Sequence, residues 1–176
     1  MTNILLTGIG GQGTVLAARL IGEAAIRKGY AVRGSETIGM AQRGGSVTSH
    51  IRIAPSTESI YSPLIPEGQA DLLLGFDIAE AVRVCSFVKK DGTLIVVQKK
   101  DDAQSAELLA FLKENFEKII VLDPESLQNK RSTNVALLGL AIKNGALPFS
   151  TEEIREVIKI KLPPKHWDAN FAALEI

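Results

Sequence analysis

The stretch LLTGIGGQGTVLAARLIG, Leu5 to Gly22, limits the fold more than any other part of this 176-residue chain. Asn3 to Thr7 is a short apolar run ended by glycines. Beyond them Leu16, Leu20 and Ala24 recur at helical spacing with Ala17, Ile21 and Ala25. The pattern predicts strand, tight turn and helix. Gly29 closes the helix after Arg27 and Lys28, which suit the negative end of the dipole, and Tyr30 to Ser35 reads as a second strand. Within the turn, Gly8, Gly10 and Gly13 have the spacing G-x-G-x-x-G. It permits a tight turn, close backbone approach to an anion and close packing of helix on strand. Glu36 stands where a dinucleotide enzyme places an acid for the ribose hydroxyls, and nearby Arg33 suits a 2′-phosphate. Three readings stay open for this loop: a nucleotide cradle, an unspecific turn, or a site for another anion or a partner.

Strands and helices keep alternating downstream. VTSHIRIA places Val47, Ser49, Ile51 and Ile53 on one side and Thr48, His50, Arg52 and Ala54 on the other, which suggests a strand with one partly wet face. Residues 55–70 hold three prolines and are expected to be irregular, with a brief extended piece near Ile60 and Tyr61. Ala70 to Phe76 reads as a buried strand and Ala79 to Val88 as a helix. A turn at Asp91 and Gly92 leads to a buried strand, Thr93 to Val97. Ser105 to Phe116 follows as a helix, KIIVLD as a strand and Asn134 to Lys143 as a helix ended by Gly145. Ser150 and Glu153 form a capping box for a helix that Pro163 and Pro164 stop, and HWDANFAALEI makes a last short helix. This predicts an α/β, Rossmann-like domain, residues 1–176, with a mostly parallel sheet and helices on both faces. Its working edge lies at the carboxyl ends of the strands.

Composition narrows the function. Twenty Lys and Arg balance twenty Asp and Glu, so no net field draws the chain to nucleic acid or an anionic membrane. Cys85 is the single cysteine, which rules out an internal disulfide and a cubane cluster held by this chain alone. A reducing cytoplasm is the simplest home. MTNILLTGIG has no basic leader, and no run of about 18 apolar residues follows, so neither secretion nor membrane insertion is indicated.

The second glycine-rich stretch, GMAQRGGSVTSHIR, is more distinctive. Gly44 and Gly45 can present successive amides beside the Arg43 guanidinium, a set suited to carboxylate or phosphate. A protein interface or a plain solvent loop uses such residues too. His50 and His166 lack spaced partners, which argues against a metal site. Cys85 reads as a small core residue, Asp71 and Asp77 as cap or turn residues, Trp167 as a packing anchor, and Lys99 to Asp102 as a solvated turn. No residue stands out as catalytic.

Taken together, GIGGQGTVLAARLIGEAA, SETIGMAQRGGSVTSHIR and YSPLIPEGQADLLLGFDIAEA resemble the gamma-type subunits of the 2-oxoacid:ferredoxin oxidoreductases, the pyruvate/ketoisovalerate oxidoreductase family. Within it they are most similar to the small, beta subunits of the indolepyruvate enzymes. The resemblance spans nearly the whole chain, although Lys99 to Lys130 carries no distinguishing motif. It implies a subunit that binds no cofactor alone, in a complex that decarboxylates a 2-oxoacid with thiamine diphosphate. Electrons pass through 4Fe-4S clusters to ferredoxin, and the acyl group goes to coenzyme A. In the family, thiamine and clusters sit on partner subunits. Members for pyruvate or 2-oxoglutarate often carry Pro and Glu ahead of the Arg-Gly pair; here Met40, Ala41 and Gln42 precede Arg43, which points to arylpyruvates. By position, Gly8, Gly10, Gly11, Gln12 and Gly13 would form the turn at the carboxyl edge. Gln42, Arg43, Gly44 and Gly45 would face the active centre or the coenzyme A path. An orphaned subunit would expose an apolar interface, so the isolated chain is free to form a homodimer. The rival readings are a stand-alone NAD(P)- or flavin-linked oxidoreductase using the first loop with Glu36 or Arg33, and a coenzyme A or nucleotide sensor with no enzyme attached.

Overall fold

In the computed structural model, which describes residues 1–41, 44–98 and 102–176, the opening apolar run forms β1 (Thr2–Ile9) and the periodic stretch forms α1 (Thr14–Arg27). Ala17, Leu20, Ile21, Ala24 and Ala25 make up its buried side. Gly29 follows at φ +81° and its N–H donates to the Ile26 carbonyl, so a residue without Cβ ends the helix in the left-handed region. The chain continues through β2 (Tyr30–Ile38), β3 (Ser46–Pro55), β4 (Ala70–Gly75), α2 (Ile78–Val84), β5 (Val88–Val97), α3 (Ala103–Asn115) and β6 (Lys118–Leu122). It ends in three helices, α4 (Thr133–Lys143), α5 (Thr151–Lys161) and α6 (Trp167–Leu174).

The six strands form one sheet in the order β2-β3-β1-β4-β5-β6. β1, β4, β5 and β6 pair in parallel, and β3 runs antiparallel to both β1 and β2. β2 therefore points the same way as β1 but does not lie beside it. The sheet is mixed, with β3 as its one reversed strand. β2 extends past Ser35 to Ile38 and returns as a hairpin. β3, with Val47, Ile51, Ile53 and Ala54 buried, takes the inner place, while Arg33, Glu36 and Ile38 leave β2 at the wetter edge.

Side chains alternate across the sheet, giving two cores. One face sets Leu6, Ile53, Leu74 and Ile95 against Leu20 of α1, Leu137 of α4, Ile154 of α5 and Leu174 of α6. The other sets Leu5, Leu73, Leu94 and Val96 against Ile78 and Ala81 of α2 and Leu109 and Leu112 of α3. The capping box at α5 is present: the Glu153 N–H donates to Ser150 Oγ at 3.2 Å and the Ser150 N–H to Glu153 Oε2 at 2.7 Å. That backbone N–H, and then Lys28, hold the Glu153 carboxyl below the usual carboxylate range. Trp167 anchors the start of α6, its ring N–H donating to the Leu162 carbonyl at 2.9 Å.

Three local expectations change. The helix expected to run to Val88 stops at Val84; Cys85–Phe87 is a single tight turn, and Val88 pairs with Ala70 as the first residue of β5. The turn expected at Asp91 and Gly92 is an irregularity within β5. A Cβ at Gly92 would lie 2.6 Å from Val88 Cγ1, so the strand bends there at the one residue type that fits. Cys85 is half-buried at the edge of the second core, and burial raises its thiol pKa.

The third change concerns the face of β3 expected to be wet. No strand forms at Ile60 and Tyr61, but the segment after β3 lies across this face and buries Ile60 and Ile65. The Ile65 N–H donates to His50 Nδ1 at 3.2 Å, and Arg52 donates to the Ser62 and Leu64 carbonyls. His50, 7% exposed, meets Phe87 edge to face at 5.7 Å. Burial lowers its pKa below the ordinary imidazole value. A folded-state pKa below the unfolded value gives stability that is present above about pH 6.5 and lost as pH falls through the folded value. The urea midpoint is expected to fall between pH 7 and pH 5, and His50→Gln to flatten that fall. An equal slope in the variant contradicts the assignment.

Candidate functional site

The carboxyl ends of β1, β4, β5 and β6 open on one edge, and the reversed direction of β3 brings the β2–β3 turn to the same edge. Ile9 lies opposite Ser46 and Gly8 opposite Val47. From this register the two glycine loops meet: the Gly10 N–H donates to the Gly45 carbonyl at 2.8 Å. Across the base of the hairpin turn, the Gly39 N–H donates to the Ser46 carbonyl at 2.7 Å. Ser46 Oγ then donates to Glu80 Oε2 of α2 at 2.6 Å, with Arg83 3.5 Å from the same carboxylate. One chain of contacts thus joins the first loop, the second loop and α2.

Inside the first loop the glycines answer to packing. A Cβ on Gly8 would lie 2.6 Å from Gln12 Oε1 and 2.8 Å from Phe76 Cβ, and one on Gly13 would lie 2.8 Å from Asn134 Nδ2. Gly11 and Gly13 have φ of +97° and +88°. Gln12 folds back, its Oε1 accepting the Ile9 N–H at 2.7 Å while its own N–H donates to the Ile9 carbonyl at 3.1 Å. The N–H groups of Ile9, Gly10 and Gln12 are therefore engaged within the protein, rather than turned toward a pyrophosphate.

The structure brings Gly8, Gly10, Gly11, Gln12, Gly13, Gly44 and Gly45 to this edge. Gln42 and Arg43 lie outside the described residues, as do the first three residues of the Lys99–Asp102 turn. It does not bring Glu36 or Arg33 to the first loop. They are on β2, separated from β1 by the whole of β3, roughly 10 Å at two strand spacings. Glu36 and Ser35 instead line a shallow groove of about 360 Å³ between α1 and the hairpin. Asp77 caps α2 through the N–H groups of Ala79 and Glu80, and Asp71 accepts the Asn3 N–H and pairs with Lys89, so both are structural acids.

A cleft of about 790 Å³ at the same edge gathers residues that the sequence did not mark: Gln98 after β5, Lys130 and Arg131 ahead of α4, and Thr133 at its first turn, with Gly11 and Gln12. Their signal was positional only, since each follows the end of a parallel strand. Among the described residues no group of three His, Cys, Asp or Glu is placed to hold a metal ion, and no helix is long and apolar enough to cross a membrane.

The fold and this edge define an α/β domain whose glycine loop is tied to a neighbouring hairpin instead of standing alone as a dinucleotide cradle. The chain belongs to the pyruvate ferredoxin/flavodoxin oxidoreductase family, whose model matches residues 3–176. It is 37% identical over 190 residues to the indolepyruvate oxidoreductase subunit IorB of Thermococcus kodakarensis, covering 99% of this chain and 93% of that protein. It is 31% identical over 163 residues to the pyruvate/ketoisovalerate oxidoreductases common subunit gamma of Pyrococcus abyssi, covering 92% and 82%. Pyruvate oxidoreductase subunit PORC of Thermotoga maritima shares the fold with a TM-score of 0.71 at 23% identity, covering 99% and 93%. So does 2-oxoglutarate:ferredoxin oxidoreductase of Magnetococcus marinus, solved with 2-oxoglutarate, coenzyme A and succinyl-CoA bound. There the TM-score is 0.76 at 18% identity, covering 99% of this chain and 30% of that one.

Proposed function

We propose that this chain is the non-cofactor-bearing subunit of a 2-oxoacid:ferredoxin oxidoreductase, and that its joined glycine loops form one wall of an active centre completed by another chain. The observation that carries the reading is the Gly10–Gly45 hydrogen bond: it engages the Gly10 amide internally and makes two separate sequence motifs one surface. The names of the relatives favour an arylpyruvate as substrate, with coenzyme A as acyl acceptor and ferredoxin as electron acceptor.

The residues present do not fit an iron-sulfur cluster held by this chain alone. A 4Fe-4S cluster takes four thiolates and the chain has one cysteine. In this reading thiamine diphosphate, like the clusters, is held by a partner subunit. Oxidative decarboxylation and electron transfer are then the work of the partner subunits rather than of this chain's side chains. Its part is to bind the partner, exclude water and shape the acyl-acceptor path.

The test is purification of the tagged chain from its native cell. A larger polypeptide carrying thiamine diphosphate and iron is expected in near-equal amount. The chain emerging alone, with saturable NAD(P)H or FAD binding in isothermal titration, overturns the reading in favour of a stand-alone oxidoreductase.

A further inference from the structure

We propose that the open edge of β2 seats a second copy of this chain, the two sheets joining antiparallel about a two-fold axis at Ser35. The contact lies along the side of the sheet and is independent of the wall formed by the glycine loops.

β2 is the outermost strand and has β3 as its one neighbour in the sheet. Its nine residues, YAVRGSETI, pair with β3 without a shift of register and include neither Pro nor Lys. Bulges, prolines, lysines and short length are the devices that keep a sheet edge from pairing. The opposite edge uses two of them, since β6 has only five residues and opens on Lys118. On β2, by contrast, Arg33, Gly34, Glu36, Thr37 and Ile38 are exposed, Ile38 by 61%.

The backbone fixes which groups are free. The Gly39 N–H donates to the Ser46 carbonyl, so these two residues are a hydrogen-bonded pair and the odd-numbered residues of β2 bond to β3. Val32, Gly34, Glu36 and Ile38 therefore turn their N–H and C=O groups away from the sheet. Their side chains share the face on which Val32 packs against the first core.

A two-fold axis normal to the sheet keeps every side chain on its own face, so an antiparallel pair of identical strands centres on a single residue. Centred on Arg33 or on Glu36, the pair sets like charges against each other. Centred on Gly34, it sets Val32 against Glu36. Centred on Ser35, it sets Val32 against Ile38 and Gly34 against Glu36 as hydrogen-bonded pairs, with Arg33 facing Thr37. In that register apolar meets apolar, no charge meets its like, and the exposed Ile38 is covered. Such self-complementarity is what a contact between two identical surfaces requires, and it favours a second copy over an unrelated strand.

The test uses the full chain alone. Sedimentation velocity at micromolar concentration is expected to give a dimer, and Ile38→Lys to raise its dissociation constant about tenfold or more. The register is read by cross-linking. Two Ser35 residues facing each other form a non-hydrogen-bonded pair with Cα atoms about 4.5 Å apart, within reach of a disulfide. Two Thr37 residues are displaced by four positions, roughly 13 Å at about 3.3 Å per residue, and are out of reach. Mild oxidation is expected to give a covalent dimer of Ser35→Cys, and none of Thr37→Cys or of the wild type with its Cys85. Thermal melts report whether each variant keeps its fold. A monomeric wild type, or Thr37→Cys joining as readily as Ser35→Cys, overturns the proposal. So does a monomer whose β2 amides gain protection from hydrogen exchange only in the purified complex, a result that assigns the edge to a strand of the partner subunit. Because no partner enters the cross-linking test, its failure leaves the co-purification result standing on its own.

Discussion

Gly13→Ala is expected to lower the unfolding free energy by about 3 kcal/mol, and Gly11→Ala by only about 1–2 kcal/mol, although both glycines occupy the same turn. The left-handed backbone is common to the two, with φ of +88° at Gly13 and +97° at Gly11, and for an L side chain it costs roughly 1–2 kcal/mol. What differs is the space. A Cβ on Gly13 meets Asn134 Nδ2, Cγ and Cβ at 2.8, 3.1 and 3.2 Å, whereas one on Gly11 meets nothing within 4 Å. Asn134 is buried on α4, and its Cγ and Cβ as well as its amide nitrogen face the added atom, so overpacking adds about 1–3 kcal/mol at Gly13 alone. In a domain of this size the difference appears as a melting point lowered by roughly 6–12 °C for Gly13→Ala, alongside a shifted urea midpoint. Equal effects at the two positions would falsify the close contact of the α1 and α4 heads.

That contrast also marks how far the sequence could be followed. The glycine spacing announces strand, turn and helix because those follow from local φ, ψ and apolar period, and α1 buries the residues its period selects. The capping box at Ser150 and the left-handed glycines after α1 and α4 were legible for the same reason. Where the amides of the first loop point depends on Gly45, which reaches Gly10 only because β3 pairs between β1 and β2. Strand order is a long-range choice, set by β3 having more to bury than β2, and a glycine motif carries no trace of it. Val88 was misplaced on a helix because a short apolar run suits either element until Ala70 pairs with it. Lys130 and Arg131 sit in a stretch without a motif; their place in the cleft comes from the ends of several strands converging in space.

Gly45 gives the largest functional effect. A Cβ there would stand 2.7 Å from the Gly39 carbonyl oxygen and 3.3 Å from its carbon, both backbone atoms at the base of the hairpin turn. Any larger residue forces that base open, loosening the Gly39–Ser46 bond and withdrawing the carbonyl that receives the Gly10 N–H. The sheet beyond Ser46 is held by its own ladder with β1, and the displacement is confined to the wall. A displacement of about 1 Å in a group that lines an active centre can cost roughly a hundredfold in rate.

The direct test is therefore 2-oxoacid-dependent ferredoxin reduction by the assembled complex carrying Gly45→Val, with Glu36→Gln, away at the sheet edge, as the control. Assembly of each variant is read from the partner recovered with the tagged chain, and a turnover loss of roughly a hundredfold is expected for Gly45→Val, with wild-type turnover for Glu36→Gln. Wild-type turnover in an assembled Gly45→Val complex contradicts the claim that the joined loops form a wall of the active centre.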